Sequence, residues 1–188
     1  MSNSEDLPTF SSLVAAREHY FGSKYDDMYT FVSASLPDLK VFAYRGVPEL
    51  HYVLFVTEGL SGSGHPAWRH SCPELFGIMK SDSTEWARSV GALVNPLRGD
   101  FAFERAKVLY GNAPLSYDTD MSGILISYPL SIEPDEQTIV ANGLRITFSQ
   151  LYPVYKGEGD LLRDIGLSAF MAMIEQSCFN PTRSSLCS

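Results

Sequence analysis

The sequence predicts one α+β domain whose sheet is at least partly antiparallel and covered by helices. Three observations lead there. Helix-like and strand-like segments come in the order helix, strands, helix, strands, helix, without regular βα alternation. Asn142-Gly143 lies between two strand-like segments, the strongest short hairpin signal, which makes those strands antiparallel neighbours. Tyr52-Val53-Leu54-Phe55-Val56 is continuously apolar, the pattern of a central strand covered on both faces. With 188 residues, 45% of them apolar and 19% charged, the chain can bury the core of one ordinary domain. Residues 1–9 are expected to form a polar lead, 10–179 the domain and 180–188 a flexible tail.

In chain order, the first helix is expected from Phe10 to Phe21, with Phe10, Leu13, Val14 and Phe21 on one face and Gly22 at its end. Strands follow at Tyr29–Val32, Lys40–Tyr44 and Leu50–Val56. Three glycines and a proline between Gly59 and Pro66 then make a loop. Pro73–Met79 is the next strand. Asp82, three residues before Glu85, resembles a capping box, and Trp86, Val90, Leu93, Val94 and Leu97 form one apolar helical stripe. That stripe places Trp86 in the core. Asn95-Pro96 ends or kinks the helix. A short strand at Ala106–Tyr110 and another at Gly123–Tyr128 precede the hairpin Thr138–Ala141 and Leu144–Leu151. In its second arm Leu144, Ile146 and Phe148 alternate with Arg145, Thr147 and Ser149, as in a half-buried strand. A last helix is expected from Asp160 to Cys178, with Leu162, Ile165, Ala169, Phe170 and Met173 inward and Glu158 and Asp160 favouring its N-terminal dipole.

Composition narrows the function classes. The net charge is −8 and the fourteen basic residues are scattered, so nucleic acid and anionic membrane are not expected partners, and a basic protein is. No apolar run reaches the roughly 18 residues of a membrane span. The acidic start Met1–Asp6 has no basic and apolar secretory pattern, so the cytosol is the expected compartment. Cys72, Cys178 and Cys187 are odd in number, far apart and in no CxxC arrangement, which argues for free thiols.

Catalytic and metal chemistry is not expected. Ser61 lies in Gly59-Leu60-Ser61-Gly62-Ser63, where a nucleophile elbow needs glycine in place of Ser63. His65, His70, Cys72 and Glu74 are ligand types without a zinc spacing. Two residues apart, His70 and Cys72 would share one face if both lay in a strand, but a reactive thiolate needs a lowered pKa. His51 is expected in the core. Asp118 and Asp120 fit a solvated turn better than an acid/base pair. No cofactor motif is present.

Several segments resemble the suppressor-of-fused-like family. His51 through Ser61 (HYVLFVTEGLS) resembles that family's strand and Gly-Leu/Met-Ser turn. Pro73 through Met79 (PELFGIM) resembles its following Glu-Leu strand, with a tryptophan-bearing helix next, as at Trp86. Ile146 through Tyr155 (ITFSQLYPVY) resembles its Pro-Ile/Val-Tyr strand, and Tyr25-Asp26-Asp27-Met28-Tyr29 its aspartate-tyrosine approach to the first strand. The resemblance spans His19 to Cys178 and departs from the pattern between Gly99 and Asp120, where Gly111-Asn112-Ala113-Pro114 replaces a histidine or aspartate after glycine. It implies a mixed, largely antiparallel sheet sandwiched by helices. Gly59, Pro153, Tyr155 and Glu158 are expected to be fold residues.

The resemblance also implies non-catalytic protein binding. In the animal protein of this family a partner peptide is held largely as an added strand. The stand-alone bacterial form implies an immunity protein that neutralises a polymorphic toxin in the cytosol. A regulatory adaptor, or a hydrolase using the 61–72 loop, are the alternatives. Partner-binding residues are expected on two loops: Glu58, His65 and Trp68 on one, and Tyr110, Asn112, Tyr117, Asp118 and Asp120 on the other. Trp68 is either an exposed contact or a lid folded back on the sheet.

Overall fold

The computed structural model describes residues 7–187. Leu7 and Pro8 lead into a two-residue strand, β1 (Thr9–Phe10). Ser12 then caps α1 (Leu13–Phe21), its hydroxyl accepting from the Ala15 amide at 3.0 Å. The helix therefore begins three residues later than the apolar spacing suggests. It buries Ala16, Arg17 and Phe21, while Val14 faces water. Three strands follow, β2 (Asp27–Phe31), β3 (Leu39–Arg45) and β4 (Val53–Glu58), each antiparallel to the next. A 3-10 turn at Ser61–Ser63 opens the glycine-rich loop, which leads to β5 (Cys72–Met79).

The second helix, α2 (Glu85–Val94), carries Trp86, Val90 and Val94 into the core as its stripe requires. Its cap differs from the expected box. Thr84 occupies the N-cap without a side-chain bond, and the Ser83 hydroxyl receives the Glu85 amide. Asp82 instead meets His51, whose Nδ1 lies 3.0 Å from Asp82 Oδ2. His51 is thus an exposed turn residue with φ of 65°, not a core histidine. Pro96 converts the end of the helix to a 3-10 turn, Asn95–Leu97.

Strands β6 (Val108–Tyr110) and β7 (Gly123–Ser127) pair antiparallel. The hairpin forms as expected from β8 (Thr138–Ala141) and β9 (Leu144–Val154), with Asn142 and Gly143 both at positive φ. The expected single last helix is two: α3 (Glu158–Ile165) and α4 (Leu167–Ile174), broken at Gly166 with φ of 80°. The break turns Ile165, Ala169 and Met173 outward and leaves Leu162 and Phe170 inside. Residues 180–187 lie back on the domain with Pro181 and Arg183 buried, while Ser188 of the expected tail and residues 1–6 of the expected polar lead lie outside the described residues.

Among the described residues the sheet has nine strands, seven of them in the order β1-β8-β9-β5-β4-β3-β2 and two, β7 and β6, branching from β9. Strand β9 is long enough to organise it. Residues 146–151 pair parallel with β5, residues 144–147 pair with β8, and residues 150–154 pair with β7, which carries β6 outside it. Alternation splits the apolar side chains between two faces. Val41, Val53, Phe55, Leu75 and Leu151 face α2 with Trp86. Phe42, Leu54, Phe76, Ile146 and Phe148 face α1, and on the same side Tyr152 and Val154 meet α3 and α4. Helices therefore cover both faces, and the continuously apolar β4 is what a doubly covered central strand requires.

Candidate protein-binding surface

The two motif segments around the glycine-rich loop meet at one buried carboxylate. Glu74 is fully buried and accepts from the Thr57 hydroxyl at 2.5 Å, the Ser61 hydroxyl at 2.7 Å and the Ser61 and Gly59 amides at 2.9 and 3.1 Å. Burial pushes the Glu74 carboxyl above its ordinary range, and these four donors offset that only in part. Gly59 is required here: its φ is 104°, and a Cβ would lie 2.5 Å from the Asp38 carbonyl oxygen. The hydroxyl of Ser61 is thereby spent on a structural clasp. Burial, with Glu74 nearby, also pushes the Cys72 thiol up, the opposite of activation.

A second clasp closes the far end. Glu158 accepts from Arg183 through both oxygens, at 2.8 and 2.5 Å, and from the Leu186 and Tyr155 amides at 2.9 and 2.8 Å. Burial raises the Glu158 carboxyl, but the Arg183 guanidinium and the two amides outweigh it and hold it below its ordinary range. Tyr155 and Glu158 thus tie the last strand to α3, and Arg183 also reaches the Pro153 carbonyl oxygen at 3.1 Å.

The expected contact residues fall in four separate places. Glu58 ends β4 with its carboxylate 3.0 Å from Arg17 Nε, so its charge is matched internally. His65 and Trp68 pack on each other with ring centroids 5.8 Å apart. Trp68 is folded back: its indole N–H donates to the Ala102 carbonyl at 2.6 Å and its ring lies on the α2-side core. Tyr117 is 83% exposed beside Asp118, whose carboxylate accepts from the Ser81 hydroxyl at 2.5 Å. Asp120 is exposed on the same loop.

Tyr110 and Asn112 stand elsewhere, on a groove of about 900 Å³ between β6 and α3. The Gly159 amide donates to the Tyr110 hydroxyl at 2.9 Å, and a Cβ on Gly159 would lie 2.4 Å from that oxygen, so the tyrosine is locked across the helix start. The Gly111 amide bonds the Ser122 carbonyl at 2.7 Å. Antiparallel alternation then turns Leu109 toward β7 and leaves the N–H and C=O of Val108 and Tyr110 pointing outward. These groups have no partner among the described residues. The result is an open sheet edge beside a groove rimmed by Lys107, Lys156 and the Asp160–Arg163 ion pair. The strand itself was legible at Ala106–Tyr110, but Val108 and this rim were not singled out as contacts, because the edge position of β6 depends on β7 and β9.

No known family profile matches the sequence, and neither does any curated protein. Solved structures do. A suppressor-of-fused homologue from Neisseria gonorrhoeae aligns with a TM-score of 0.69 and 17% identity, over 92% of this chain and 93% of that one. A chain of the Sufu–Fu complex aligns at 0.63 and 11% identity, over 92% and 89%. Drosophila Suppressor of Fused aligns at 0.55 and 13% identity, with 79% of this chain on 42% of that protein. Sheet order, helices on both faces and these alignments together show that this chain has the suppressor-of-fused fold.

Proposed function

We propose that the chain is a non-catalytic protein-binding module that takes a partner segment as an added strand on the free edge of β6. The observation that carries this is the pair of outward-facing residues, Val108 and Tyr110, beside the groove against α3. Four unpaired backbone groups in a row offer main-chain bonds, and the groove offers room for alternate side chains of the added strand. The partner is a basic toxin domain, with this chain as its cytosolic immunity protein. The net charge of −8 supports that partner through long-range steering, since the individual acidic residues are dispersed over the surface. The fold shared with a chain of the Sufu–Fu complex supports a second reading, a regulatory adaptor.

Co-expression with the product of the adjacent reading frame is the test. The immunity reading expects growth rescue and a complex that survives purification, with association slowing as salt rises. Val108→Pro removes an outward N–H while leaving the β6–β7 bonds of Leu109 intact, so it should weaken that complex in protein that melts normally. No rescue and no complex at micromolar concentration would remove the immunity reading. A stable complex indifferent to Val108→Pro would move the contact off β6.

A further inference from the structure

Six of the nine arginines are held by internal carboxylate, amide or carbonyl oxygens. Arg17, Arg45, Arg88, Arg163 and Arg183 each pair with a carboxylate. Arg98 is buried, with its guanidinium on Asn95 Oδ1 and the Pro37 carbonyl. The remaining three, Arg69, Arg105 and Arg145, have no carboxylate partner among the described residues, and all three line one groove of about 640 Å³. They come from three distant points of the sequence, so only the fold gathers them.

The groove lies on the α2 side of the sheet, but α2 packs on β2, β3 and β4 and does not reach this end. Strand alternation puts Ile146 and Phe148 in the core opposite, and turns Arg145, Thr147 and Ser149 into the groove. Thr147 donates to the Ser71 hydroxyl at 2.9 Å and lies 3.1 Å from the Thr138 hydroxyl, a row of polar groups across three neighbouring segments. One wall is the 67–71 segment with Trp68, Arg69 and His70. The other is the 102–105 segment, where the Arg105 guanidinium is held 3.7 Å over the Tyr128 ring. Glu104 is the one carboxylate in the lining.

We propose that this groove binds a short acidic segment of a partner protein, with carboxylates received by Arg69, Arg105 and Arg145 and the intervening chain by the threonine and serine hydroxyls. Charge complementarity argues for the occupant: three planar guanidiniums without a carboxylate partner among the described residues match carboxylates in forked geometry. A phosphate polymer fits less well. It would run out of the groove past Glu104 and the exposed Glu133, Asp135 and Glu136 before β8, on a chain of net charge −8. The surface is separate from the β6 edge, so this inference extends the protein-binding reading to a second contact and can fail without it.

The test uses the full chain and a short fluorescein-labelled peptide alternating glutamate with serine, which places its carboxylates on one face of an extended strand. The same peptide with glutamine for glutamate and a single-stranded DNA of matched length are the comparisons. Anisotropy reads binding, and Trp68 fluorescence reports occupancy of the groove, because the only other tryptophan, Trp86, is fully buried. The glutamate peptide should bind at least about tenfold tighter than the glutamine peptide, as charge-assisted bonds allow. Arg69→Gln and Arg145→Gln should each remove most of that preference in protein that melts like the parent, and Arg88→Gln, at an exposed arginine outside the groove, should leave it unchanged. Equal binding of the two peptides, no binding of either, tighter binding of the DNA, or affinity unaltered in the Arg69→Gln/Arg145→Gln double variant would each overturn the proposal.

Discussion

Replacing Arg183 by methionine should cost about 3–5 kcal/mol, the range for removing one partner of a buried ion pair. Side-chain exposure is 2% at Arg183 and 0% at Glu158, so water cannot replace the lost partner. The guanidinium supplies two of the four donors on Glu158; without it the carboxylate keeps only the Tyr155 and Leu186 amides. The cost should appear in urea melts at pH 7, and as a fall of roughly 6–20 °C in Tm for a domain of this size. Its pH dependence has a fixed sign. The folded Glu158 carboxyl lies below its ordinary range, so its contribution is complete above the unfolded carboxyl pKa of about 4.3 and is lost as pH falls through the lower folded value. In Arg183→Met the stranded carboxylate keeps its burial and loses the guanidinium, which raises it, so the gap between parent and variant should be widest at neutral pH, narrow as pH falls and be smallest below about 4. Glu158→Gln on the Arg183→Met background should recover part of the loss, because the stranded charge is gone. A cost under about 1 kcal/mol at pH 7, or a gap that does not close in acid, would refute a buried clasp and detach the 179–187 segment from the fold.

Three further outcomes follow from the packing. Trp86→Ala should cost about 3–5 kcal/mol in thermal or urea melts, since the ring is fully buried against both α2 neighbours and the sheet. Trp86→Phe should cost less, because the indole N–H has no hydrogen-bond partner to lose. Gly59→Ala should destabilise by more than about 1 kcal/mol, as its Cβ collides with backbone at a positive φ; unchanged urea stability would mean the turn has another conformation. In native protein at pH 8 a thiol reagent should label exposed Cys187 first. Cys178, buried and pushed up to about 11, should react only on unfolding, which mass spectrometry of timed aliquots would show.

Sequence alone determined the parts whose cause is local. The Asn142-Gly143 hairpin, the Trp86 stripe and the doubly covered β4 all formed as patterned, because positive-φ turn residues and apolar periodicity act within one element. The α+β class and the resemblance carried by residues 51–61, 73–79 and 146–155 led to the fold that the solved structures share. Tertiary structure decided the rest. The last helix breaks at Gly166, and the break lets Leu162 of α3 and Phe170 and Ile174 of α4 join one cluster with Tyr152 and Val154, which a continuous apolar spacing cannot reveal. His51 looked like a core residue from its strand neighbours, but a turn at φ of 65° sends it to Asp82. The contact residues expected on two loops are dispersed because Glu58 finds Arg17, Trp68 finds Ala102 and Asp118 finds Ser81 across 34 to 41 residues of chain. The open β6 edge and the three arginines without carboxylate partners were invisible for the same reason: whether a backbone group or a charge lacks a partner is set by which distant segments come to lie beside it.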